Sequence, residues 1–115
     1  MTTSMLSAEL SRNDSWTIPL MEFVDDFRRA PRTTSINEAI DCGKARLDAL
    51  VAATVEKLCQ EAGIEPPTWT SEIGPIDEPW LVSGIESLRG LAFAESPVPF
   101  RRRRIFVLAN FLQRA

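Results

Sequence analysis

Four consecutive arginines, Arg101, Arg102, Arg103 and Arg104, stand between Phe100 and the pair Ile105-Phe106. A guanidinium offers planar, forked donors that suit carboxylate and phosphate oxygens. Four in a row cannot all face a core. On a helix they point around the axis, so one or two must approach buried acids or lie along apolar surface. Three uses follow, in this order: pairing with the acidic body of the chain itself, capture of an acidic protein surface, and contact with nucleic-acid phosphates. Phe100, Ile105 and Phe106 read as core anchors on either side of the run.

A second constellation is aromatic. Pro66-Pro67-Thr68-Trp69 and Pro75-Ile76-Asp77-Glu78-Pro79-Trp80 make a stiff segment with large aromatic area. Such a loop loses little entropy on binding, and tryptophan is enriched where interfaces bind most strongly. The plainer use is a lid that closes the helical core with both tryptophans buried.

Acid–base and nucleophilic chemistry is harder to find. Asp25-Asp26 and Asp77-Glu78 are adjacent carboxylates, and neighbours on a helix point to different sides. Two oxygens in a loop are too few to hold a hard cation. The chain has no histidine, which removes histidine triads, histidine general bases and histidine metal ligands together. The five glycines stand singly, so no phosphate-cradling loop is present. Cys42 and Cys59 are expected on one helix, roughly 25 Å apart, too far for a disulfide and best read as small buried thiols. These residues predict a non-enzymatic protein without metal or cofactor.

Charge is divided along the chain. Ser96 to Ala115 carries five arginines and no acid, and the part before it carries eight basic residues and all 16 acids. The two parts are therefore +5 and −8, which gives the net −3. A basic end on an acidic chain seeks a polyanion, an acidic partner or the chain's own body. The 115 residues suit one domain, and 44% hydrophobic with 25% charged residues is ordinary globular composition. No signal peptide and no apolar run of membrane-spanning length is evident, so a cytoplasmic location is expected.

The elements that must position these groups are mostly helices. Residues 1–15 read as a flexible arm with at most one helical turn near Leu6 to Leu10. Pro19 suits the first turn of a helix, with Leu20, Phe23, Val24 and Phe27 on one face, and Pro31 ends it. Ser35-Ile36-Asn37-Glu38 reads as a capping box that opens a long helix to Ala62, with Gly63 as its stop and Gly43 as its weak point. Residues 64–78 read as irregular. Ser83-Gly84-Ile85-Glu86 reads as a second capping box before a short helix to Glu95, with Ile85, Leu88, Leu91 and Ala92 on its core face. The segment from Ile105 to Leu112 fits a helix, and its first four residues also fit a short buried strand. Phe23, Leu47, Leu50 and Leu88 are expected in the core.

The set Pro-Pro-x-Trp at Pro66 to Trp69, Glu-Pro-Trp at Glu78 to Trp80, Ser-Pro-x-Pro-Phe-Arg-Arg-Arg at Ser96 to Arg103 and Ile-Phe-Val at Ile105 to Val107 is distinctive. Across residues 47–115 it resembles small bacterial proteins of toxin–antitoxin-type gene neighbourhoods, often beside a nucleotidyltransferase-like protein. The resemblance implies a cytosolic protein partner of that kind and an antitoxin-like role. Some proteins of this kind carry an N-terminal DNA-binding helical region. Here residues 1–60 show no helix-turn-helix, because Phe23 to Phe27 is acidic and the long helix is Ala-rich core.

The expectation is thus a mainly α chain: a small three-to-four-helix bundle over residues 16–115, with a Pro/Trp-rich loop over one end and room for one short C-terminal strand. Its expected function is non-enzymatic protein interaction, antitoxin-like, with Trp69, Trp80, Arg101, Arg102, Arg103 and Arg104 facing the partner. The alternatives are a nucleic-acid-binding regulator using the arginine run and a structural homodimer joined through the Ala-rich helix.

Overall fold

The computed structural model describes residues 1–13 and 15–113. Asp14, within the expected arm, lies outside the described residues, as do Arg114 and Ala115. The fold is mainly helical, with six α-helices and one two-stranded sheet among the described residues.

Helix α3 (Ala45–Ala62) is the axis on which the others pack. From Ala49 to Glu56 every residue is buried, the signature of a helix enclosed on all sides. Helices α2 (Thr17–Arg29), α4 (Thr68–Glu72) and α6 (Val98–Arg101) each pack against it. Ala49, Ala52 and Ala53 are essentially without exposed surface, so the small-residue side that suggested a homodimer is used up within the chain. Gly63 closes α3 at φ 70°, and its N–H donates to the Cys59 and Gln60 carbonyls. The α2 face is as its spacing implies: Leu20, Phe23, Val24 and Phe27 are buried.

Two expectations fail at the N-terminal end, and one set of contacts explains both. The expected flexible arm is helix α1 (Thr3–Arg12), packed against α2, with Leu6 and Leu10 in the core. The expected long helix does not start at Ile36. A 3₁₀ turn (Thr33–Ile36) is followed by extended chain, and α3 begins only at Ala45. The connecting chain is pulled away from helical geometry by α1. The Thr3 hydroxyl donates to the Glu38 carbonyl, the Asp41 N–H donates to Ser7 Oγ at 3.0 Å, and Lys44 Nζ donates to the Leu10 carbonyl at 2.8 Å. Gly43 supplies the left-handed turn at φ 80°, and Asp48 Oδ1 accepts the Cys42 N–H at 3.0 Å. Cys42 therefore precedes α3 and does not share a helix with Cys59. Both thiols are buried and free.

The irregular stretch after Gly63 contains one short helix, α4, which the prolines around it had concealed. Strand β1 (Trp80–Leu81) pairs in parallel with β2 (Ile105–Phe106), in the register Trp80 with Ile105 and Leu81 with Phe106. The crossover between them carries a 3₁₀ turn (Glu86–Leu88), α5 (Arg89–Glu95) and α6. Ser83 caps the Ile85 N–H at 3.2 Å, not that of Glu86. The face of α5 also differs from the expected one: Ala92 is buried, Leu88 half-buried, and Ile85 and Leu91 exposed. One turn of 3₁₀ before α5 rotates the apolar positions out of line with the core. No described helix is long and apolar enough to cross a membrane.

Candidate functional site

The arginine run leaves α6 and enters β2 through a tight turn in which Arg104 adopts φ 65°. This geometry sends successive guanidiniums in different directions. Arg103 is 1% exposed and among the largest fully buried side chains. Its Nε donates to the Ile73 carbonyl at 3.0 Å, Nη1 to the Pro99 carbonyl at 2.8 Å and Nη2 to the Thr70 carbonyl at 2.6 Å. Nη1 also pairs with Glu56 Oε1. Burial pulls the Arg103 guanidinium below its ordinary pKa, and Glu56 opposes that shift. Arg102 reaches the same carboxylate, 2.6 Å from Glu56 Oε1. Arg101 donates to the Ser96 carbonyl at 3.0 Å, past the end of α5, and Arg104 to the Asp77 carbonyl at 3.0 Å. All four arginines are engaged with the chain's own oxygens, and Arg103 has no surface left to offer a partner.

The two tryptophans part company. Trp69 is buried, and its Nε1 donates to the Ile36 carbonyl at 2.8 Å. It holds the 3₁₀ turn before α3 onto α4, so it is removed from any partner surface. Trp80 is half-buried. Its ring packs edge-on against Trp16 at 5.8 Å between centroids, and the Arg46 guanidinium lies 4.3 Å from its centroid.

Beside the Arg46–Trp80 stack is a groove of about 660 Å³ between the first turns of α3 and the segment 73–79. Ile40, Ala49 and Ile76 are buried in its floor, and Asp48, Asp77 and Glu78 line it together with Arg46. Its outer wall is fixed from behind. The Ile76 N–H donates to the Arg103 carbonyl at 3.1 Å and the Trp80 N–H to the Arg104 carbonyl at 2.9 Å. The arginine run thus builds a wall of the groove without entering it. A shallower groove of about 990 Å³ runs along α2, with Trp16, Ile18, Met21, Glu22, Asp25 and Asp26 among its lining residues. At its edge Asp26 Oδ2 lies 3.0 Å from the N-terminal amine of Met1. That amine first, and Arg29 to a lesser degree, hold the Asp26 carboxyl below its ordinary pKa.

Burial pushes both thiols up to about 11, with Asp48 adding to the rise at Cys42 and Glu56 at Cys59. Both therefore stay protonated at neutral pH and are poor nucleophiles.

Two residues that matter here belong to none of the sequence motifs. Arg46 carries no pattern, since only the fold brings it over Trp80. Glu56 has a signal: it falls seven residues after Ala49, on a face that also holds Ala52 and Ala53. An acid at a core position asks for a buried cation.

No protein-family model, no curated protein and no solved structure matches the chain.

Proposed function

We propose that the chain is a non-enzymatic interaction protein, an antitoxin-like partner of a neighbouring enzyme, and that it engages a basic protein surface through its acidic body. The observation that carries this reading is the inward use of the arginine run. Arg103 is buried on Glu56, Arg102 shares that acid, and the exposed Arg101 and Arg104 each donate to a backbone carbonyl. Both larger grooves present acids instead. An enzyme that handles phosphate-bearing substrates presents cations, and complementary charge speeds and orients docking to such a surface. The nucleic-acid reading is weaker because burial of Arg103 and pairing of Arg102 leave the run two exposed guanidiniums without an acid, few for phosphate neutralisation.

The test is a complex between the purified chain and the product of the adjacent gene, followed as ionic strength rises. The expected result is a salt-weakened complex and no duplex affinity at about 0.15 M salt. Tight duplex binding by the chain alone would overturn it.

A second reading, self-association, is favoured by one observation: Ile85, Leu91, Phe93 and Val98 are 51%, 48%, 43% and 66% exposed. Exposed apolar patches mark interaction sites. Light scattering over a wide concentration range checks it. A constant monomer mass removes it, whereas a dimer dissolved by Leu91→Asp supports it.

A further inference from the structure

We propose that the groove between α3 and segment 73–79 seats an arginine or lysine side chain from a basic segment of the protein partner. This rests on the interaction reading above and names where and by what chemistry the contact is made.

The groove suits an amphipathic cation. Its floor is apolar, with Ile40 and Ile76 buried, so it accepts a methylene stem. Asp48, Asp77 and Glu78 also line it, so carboxylates are present for the charged head. The one cation lining the groove, Arg46, is drawn toward the face of Trp80, which leaves the carboxylates in excess. An anionic or purely apolar occupant would leave those carboxylates opposed or desolvated, at a cost. Arg104 does not line the groove, and its guanidinium is held on the Asp77 carbonyl.

The wall is also set before any partner arrives. Pro75 and Pro79 stiffen it, and the carbonyls of Arg103 and Arg104 hold the N–H groups of Ile76 and Trp80. The buried Arg103 side chain holds the Ile73 carbonyl at the start of the segment. A preorganised wall loses little conformational freedom on binding. This gives the arginine run its place in the contact: it shapes the acidic groove from behind.

The experiment uses the purified chain alone, with backbone amide and Trp80 indole NMR signals as the readout. Three probes are titrated: acetyl-Ala-Arg-Ala-amide, the same peptide with neutral citrulline in place of arginine, and free agmatine. The expected result is saturable shifts at Arg46, Gly74, Ile76, Asp77 and Glu78 with the arginine peptide. The citrulline peptide should bind about tenfold more weakly, as should the arginine peptide with Asp77→Asn/Glu78→Gln. That variant changes exposed side chains and should melt like the parent.

Equal binding of the citrulline peptide overturns the charge argument. Shifts confined to the α2 groove overturn the location. Agmatine binding more tightly than the peptide replaces the partner segment with a small free cation. The same shifts on raising protein concentration alone make a second copy the occupant. If the partner complex forms but no probe moves these signals, the groove proposal fails and the interaction reading stands.

Discussion

Glu56, in the enclosed middle of α3, pairs with Arg103, which is 1% exposed and donates to carbonyls of α4, α6 and Ile73. The carboxylate also takes Arg102, which is about half exposed. Two adjacent arginines thus share one acid and differ in how much water they keep.

That difference sets the first prediction. Arg103→Ala removes the buried partner of Glu56, leaving that acid only Arg102, and strips three carbonyls of their donor in the interior, so it should cost about 3–5 kcal/mol. Arg102→Gln removes a half-solvated charge and should cost about 0–1 kcal/mol. Chemical denaturation of the two variants checks the ratio. Equal losses would mean that Arg103 is not the buried member of the pair.

The first helix gives the second prediction. Leu6 is fully buried, and Met5 beside it is 56% exposed. Leu6→Ala should destabilise the fold by about 2–5 kcal/mol, while Met5→Ala should stay within about 0.5 kcal/mol. Removal of residues 1–13 should lower the melting temperature sharply, because Leu10 and the Thr3, Ser7 and Leu10 hydrogen bonds to the 38–44 chain go with it. An unchanged melt after that deletion would refute the packed helix.

Thiol chemistry supplies the third. A raised thiol pKa means that the folded chain holds the proton more tightly than the unfolded one. The stability this carries is complete below the unfolded value of 9.0 and is lost as pH rises toward about 11. The denaturation midpoint should therefore fall between those values. A double Cys42→Ala/Cys59→Ala variant should lose the part of that fall due to the thiols. At neutral pH the native chain should react with a thiol reagent only as fast as it opens. Rapid labelling of either cysteine in the folded state would contradict the burial.

The arginine run yields the fourth. A block that binds nucleic acid shows a log–log salt slope near −0.9 for each phosphate neutralised. With Arg103 buried and Arg102 paired to Glu56, the run keeps only Arg101 and Arg104 as exposed cations without an acid, and the chain should show no measurable duplex affinity at about 0.15 M salt, which fluorescence anisotropy with a labelled duplex checks. A steep slope for the parent, lost on Arg101→Gln/Arg104→Gln with an unchanged melt, would make these two exposed arginines a phosphate-binding site.

Local chemistry determined much of the helical plan. Pro19 and Pro31 bracket α2, and Leu20, Phe23, Val24 and Phe27 mark its buried face. Gly63 ends α3 because glycine takes a positive φ without a Cβ penalty. The core places of Phe23, Leu47 and Leu50 follow from the same periodicity. The tertiary structure decided what depends on partners distant in the chain. Helix α1 is polar by composition and gains its place only because α2 buries Leu6 and Leu10. Residues 37–44 leave the helical path because Thr3, Ser7 and the Leu10 carbonyl engage them from α1. Leu88 is only half-buried because a 3₁₀ turn shifts its register. Arg103 turns inward, Arg104 takes a left-handed turn and Trp69 reaches the Ile36 carbonyl through contacts some 30 residues away in sequence. A run of like residues says how much charge is present. Which member is buried depends on where one acid, Glu56, comes to lie, and that position exists only once α3, α4 and α6 have packed.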